Sequence, residues 1–205
     1  MPSTIRPLVV AWAIFVAGFA LPSRAADRYW VGAGSTDWNT AANWSTSSGG
    51  AGGAGVPGSS DAAIFDNGAS NNCTQNATAS VYGLVLASGF TRTLTQGGGS
   101  TLTVGAGGFA QTNGTFTAPG GVWTISGDFT VAGGTFNHNN GTLRFYVAVN
   151  YTAAWARNIS VPTALHLWNL TYDASGSYGS ESVAYTIASG NTLVVSNNFR
   201  VTQSG

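Results

Sequence analysis

The chain has 205 residues, enough for one ordinary domain or one extended array, and only 7% of them are charged, against roughly 25% in a typical soluble domain. Lysine is absent and the formal net charge is zero, which excludes the basic clusters that a nucleic-acid partner requires. Apolar residues at 43% and aromatic residues at 12% exclude a disordered low-complexity chain, because disorder needs low hydrophobicity and high net charge.

The first 25 residues read as an export signal. Arg6 supplies the positive charge, Leu8–Ala20 is an unbroken apolar run of 13 residues, and Ser23 and Ala25 place small side chains where a peptidase cuts between Ala25 and Ala26. A membrane span needs about 20 apolar residues, so this run is too short to be one. Without it the chain carries five arginines against seven acids, and no later apolar segment has spanning length. The expectation is a secreted or surface-exposed protein with no membrane span in its mature part.

Residues 26–77 show no repeat and are rich in tryptophan, with a Gly/Ser-rich loop at Ser47–Gly58. Cys73 is the chain's single cysteine and cannot form an internal disulfide, so it reads as a small apolar side chain in or beside a strand.

From residue 78 to 205 the chain repeats. Gly107–Gly114 with Thr115-Phe116 lies over Gly127–Gly134 with Thr135-Phe136 at an offset of 20, pairing Phe109 with Phe129 and Phe116 with Phe136. At the same offset Trp123-Thr124-Ile125 lies over Leu143-Arg144-Phe145. A third copy at an offset of 70 sets Leu193-Val194-Val195 on Trp123–Ile125 and Phe199-Arg200-Val201 on Phe129–Val131. Apolar residues two apart with a polar one between them make strands with one buried face. Glycine-rich corners between them allow sharp turns. The glycine density excludes an α-solenoid, and a β-sandwich would not require an in-register repeat. The expected fold is all-β: a right-handed parallel β-helix or β-solenoid of about 20-residue rungs, roughly six of them, behind an aromatic-rich N-terminal cap. Regularity falls between residues 146 and 185. The last rung, Phe199–Val201, is followed by no polar cap, so its open edge is expected to be covered by further chain or by a partner.

Arg28-Tyr29-Trp30-Val31-Gly32, Asp37-Trp38-Asn39, Ala42-Asn43-Trp44-Ser45, Val56-Pro57-Gly58 and Ala63-Ile64-Phe65-Asp66 together form a phrase, and Leu167–Tyr172 forms another. This resembles the start of large bacterial surface proteins of the autotransporter-associated β-strand repeat kind. The resemblance implies secretion, a β-helical stalk, and a structural or adhesin-like role with no catalytic residues. The chain departs from that pattern in having no C-terminal membrane barrel.

The chemistry-bearing residues are few. Asp37 with Asp61 or Asp66 could form a glycosidase pair, with Trp30, Trp38 and Trp44 as sugar-stacking platforms. The competing expectation is that these tryptophans plug the first rung while the aspartates bind turn backbones. His138 falls in a polar corner, 137–141, and His166 alternates with Leu165 and Leu167 and should face outward; neither has zinc spacing. The Gly-rich runs lack the lysine of a phosphate loop, and no nucleophile elbow occurs, so no cofactor or metal is expected. A grafted surface for a glycan or protein ligand is expected in the irregular stretch, at Tyr151, Trp155 and Trp168. The leading function is a non-catalytic structural or adhesin-like stalk. The alternative is a carbohydrate-binding or carbohydrate-active module built on Trp30, Trp38 and Trp44.

Overall fold

The computed structural model describes residues 26–147, 155–162, 164–175 and 183–203. Within them the chain is an all-β, parallel solenoid of about five turns. Its strands are β1 (Asp27–Trp30), β2 (Trp44–Ser45), β3 (Ala62–Phe65), β4 (Cys73–Gln75), β5 (Ala79–Leu86), β6 (Thr93–Gln96), β7 (Leu102–Gln111) and β8 (Thr115–Thr117). They continue with β9 (Val122–Ile125), β10 (Phe129–Val131), β11 (Thr135–Asn137), β12 (Thr142–Tyr146), β13 (Trp155–Ser160), β14 (Leu165–Ala174), β15 (Val183–Ile187) and β16 (Leu193–Gln203). The signal segment up to Ala25 lies outside the described residues.

Each turn presents three faces. On the first, Ala79, Leu102, Trp123, Leu143, Leu170 and Phe199 form one parallel column, and Val81, Val104, Ile125, Phe145, Tyr172 and Val201 form its neighbour. On the second, Ala63, Leu84, Phe109, Phe129, Ile159 and Ile187 stack. On the third, Cys73, Leu94, Phe116 and Phe136 stack in β4, β6, β8 and β11. Apolar side chains at every second position thus become interior ladders, each residue backed by its equivalent one rung on. Burying one such Phe or Leu is worth about 1.5–3 kcal/mol. Corners within the longest strands carry register shifts, between Val81 and Gly83 against β7 and between Leu167 and Asn169 against β16. A bulge lets one strand bend from one face to the next without ending.

The 20-residue offset is the true rung in mid-chain, where Phe109 pairs with Phe129 and Phe116 with Phe136. Later rungs are longer: Phe129 pairs with Ile159, Leu143 with Leu170, and Leu165 with Leu193. Longer rungs are the reason the described residues make about five turns rather than the six expected. The offset of 70 needs correction too. Leu193–Val195 stacks on Leu165–Leu167, not in the column of Trp123–Ile125, and it is Phe199–Val201 that belongs to that column. Nor is the stretch 26–77 separate from the stack, since β3 and β4 already pair in parallel with β5 and β6.

The two ends differ. At the start β2 runs antiparallel to β1 and covers its edge, pairing Trp44 with Trp30. Trp30, Trp38 and Trp44 fill the space beneath with Phe65, their ring centroids 4.7–6.0 Å apart. At the other end β16 is the last strand of its sheet among the described residues. Phe199 and Val201 are 60% and 59% exposed on it, at positions that are buried in every earlier rung from Leu102 and Val81 to Leu143 and Phe145.

Candidate functional site

The structure puts the sequence-predicted tryptophans inside. Trp30, Trp38 and Trp44 are fully or almost fully buried, with Trp30 Nε1 donating to Asn71 O at 3.0 Å and Trp44 Nε1 to Trp38 O at 2.7 Å. Buried indoles offer no ring face to a sugar, so the stacking-platform expectation is corrected: the first rung needs these rings to fill it. The aspartates beside them serve turns. Asp37 accepts from Asn39 N at 2.8 Å, Asp61 from Gly58 N at 3.0 Å and Asp66 from Gly68 N at 2.9 Å. Cys73 occupies the foot of the third-face column and is buried, and burial, with a smaller contribution from the Asp37 charge, pushes its thiol well above the ordinary range. It packs as a small hydrophobe. Tyr151 lies outside the described residues. Trp155 opens β13, its backbone in register with Val183. Ala26 is the first described residue, one before β1.

What the residues do build is a groove on the third face. The ladder β4–β6–β8–β11 stops at β11. One turn on, the first half of β14 pairs with β16 but not with β11, although the first and second faces stay paired across the same step. The rungs therefore part on one side only, leaving a groove of about 530 Å³, with Phe136 and Leu165 at its floor and Thr135, Asn137, His138 and His166 along its sides. In a parallel ladder alternate residues turn their peptide groups to alternate neighbours. Thr135 N donates to Gly114 O and Asn137 O accepts from Ala118 N, so Phe136 directs its own N–H and C=O toward the groove.

Both histidines of the chain meet here. His138 sits in the polar corner expected for it, where Asn139 and Asn140 adopt φ of 47° and 53°. Asparagine tolerates that left-handed region because its short polar side chain bonds locally, as Asn139 does to Ala118 O. Asn140 N donates to His138 Nδ1 at 3.0 Å, which assigns the ring proton to Nε2 and leaves His138 an N–H donor. Its ring lies nearly flat on Trp168, centroids 6.1 Å apart and planes 22° from parallel. Trp168 is the residue at the β14 register shift, and a bulge there turns its side chain out of the alternation. His166 is exposed between buried Leu165 and Leu167, facing outward as its spacing predicted. No carboxylate, lysine or arginine lines the groove.

Among the described residues no three His, Cys, Asp or Glu side chains come close enough to hold a metal ion, and no helix is long and apolar enough to cross a membrane. Comparison with protein-family models, with curated proteins and with solved structures finds no match. The site is therefore argued from its own chemistry.

The grouping of His138, His166 and Trp168 was missed by sequence reasoning, which weighed each histidine alone. A signal was present. The two histidines are 28 residues apart, the same spacing that joins Leu165 to Leu193 as rung neighbours.

Proposed function

We propose that this chain is a secreted or cell-surface, non-catalytic stalk, structural or adhesin-like in role, of the kind its tryptophan-rich opening resembles. The observation that carries the reading is the contrast between ends. Three buried tryptophans and an antiparallel strand close the first turn, while the last turn ends on exposed Phe199 and Val201. A solenoid closed at one end and apolar at the other is suited to continue lengthwise, each rung adding backbone bonds along the axis. We take the occupant of the open edge to be a further parallel strand, in register with β16. Export through the segment ending at Ala25 belongs to the same proposal.

The test is made on the producing cell and on the purified chain. Protease shaving and antibody labelling of intact cells should find the protein outside the membrane, and small-angle X-ray scattering should give an elongated particle. Retention in the cytoplasm would sink the surface reading. Turnover of a polysaccharide that disappears on Asp37→Asn or Asp61→Asn would sink the non-catalytic one.

A further inference from the structure

We infer that the groove between β11 and the first half of β14 is a binding site for an uncharged oligosaccharide. This goes beyond the stalk reading, which needs no ligand at all.

Four features of the groove converge on that class. Its volume, about 530 Å³, falls within the range of about 300–1,000 Å³ that small-ligand sites occupy. No ionised side chain lines it, so a phosphorylated, sulfated or carboxylated ligand would lose its hydration with no counter-charge in return. The floor is apolar, from Phe136 and Leu165, and the sides carry amide, hydroxyl and imidazole groups. A sugar ring has that same division, apolar C–H faces bounded by hydroxyls that both donate and accept.

The fourth feature is preorganisation. His138 is held from two directions, by the N–H of Asn140 on Nδ1 and by the face of Trp168 on its ring. Its Nε2–H is a donor fixed before any ligand arrives, so little ordering cost falls on binding. The same bond disfavours a metal at His138, because ligation through Nε2 would require the proton on Nδ1, where Asn140 already donates. The Phe136 peptide adds one donor and one acceptor from the open edge of β11. An extended peptide could use that edge as well, but β11 is three residues long and gives a strand little to pair with.

The experiment is calorimetric titration of the full secreted chain with a panel of neutral hexasaccharides (cello-, malto-, laminari- and chito-hexaose), an anionic oligogalacturonate and an extended hexapeptide. At least one neutral sugar should bind saturably. His138→Ala and His166→Ala should each weaken it about tenfold, the loss of one or two hydrogen bonds, while the melting temperature of the exposed-site variant His166→Ala stays at the wild-type value. Trp168→Phe keeps a flat ring under His138 and should retain most of the affinity. The inference is overturned if no neutral sugar binds the folded wild-type chain, if binding survives both histidine variants unchanged, or if the oligogalacturonate or the peptide binds more tightly than every neutral sugar.

Discussion

The mid-chain turns and the last two turns are built from the same strand pattern, yet they behave differently. Between Leu102 and Val147 the rung is about 20 residues and all three faces pair, so Phe109, Phe116, Trp123 and Phe129 pack within one interior with centroids 5.0–6.1 Å apart. Beyond Val147 the rungs lengthen to 27–30 residues, as the pairs Leu143–Leu170 and Phe129–Ile159 show. The first and second faces absorb the extra residues and keep their ladders, and the third face does not. A solenoid thus tolerates insertion in one rung by releasing pairing on one face, and the released face becomes a groove. Regular rungs give stability, and the irregular rung gives a concave surface with free peptide groups.

That contrast is most easily broken by removing the same ring from each region. Phe129 is fully buried between Phe109 and Phe145, and Phe129→Ala should cost about 3–5 kcal/mol in urea unfolding. Phe199→Ala, at 60% exposure, should change stability by no more than about 0.5 kcal/mol. Equal losses would mean that the open turn is as well packed as the middle. A second change probes the corner where the regular stack gives way to the first long rung. A Cβ on Gly141 would collide with the Pro119 carbonyl oxygen, a backbone atom that cannot rotate away. Gly141→Ala should therefore cost about 1–3 kcal/mol, with the spread set by how far the corner can shift.

The legibility of the fold from sequence follows the same division. Phe109 over Phe129 and Trp123 over Leu143 are readable because nearest rungs of equal length keep a constant offset. The last rung is readable as a rung but not as to face. All three faces use the same two-apart apolar pattern, so Leu193–Val195 fits the column of Trp123 as well as its true column on Leu165–Leu167. The groove was out of reach for a different reason. Whether two rungs hydrogen-bond depends on where inserted residues bend the chain, and no local pattern around Thr135 or Leu165 records it. The tryptophan plug was legible, because an uncovered first rung needs large apolar rings.

The seam between the two regions also carries a pH signature. Arg144 in β12 donates through Nε to Asp173 of β14 at 2.7 Å and lies over the Tyr146 ring at 4.6 Å. Burial alone would raise the Asp173 carboxyl, but hydrogen bonds from Ser175 and the bond and charge of Arg144 outweigh it, and its pKa is held below the ordinary carboxylate value. A depressed folded pKa means stability that is present above the unfolded value, near 4, and lost as pH falls through the folded one. Thermal melting should be flat from pH 7 to about 5 and decline below about 4, and Asp173→Asn should flatten that decline while costing about 1 kcal/mol at neutral pH. An unchanged acid limb in the variant would place the acid sensitivity at another carboxylate.

The smallest expected effect on stability is the sharpest test of the ends. Phe199→Asp puts a charge on a side chain already facing water, so the unfolding midpoint should hold within about 0.5 kcal/mol. Association is another matter. Ile187, Phe199 and Val201 together leave an apolar surface beside the free edge of β16, the combination that templates strand pairing. Sedimentation of the wild-type chain should show mass rising with concentration, and the single aspartate should suppress it by desolvating a charge in any new strand contact. The closed end supplies the internal control, because β2 already covers β1 and the tryptophans are out of reach. A wild-type chain that stays monodisperse at high concentration would mean that the last turn is not a functional edge, and the difference between the two ends would then be one of packing only.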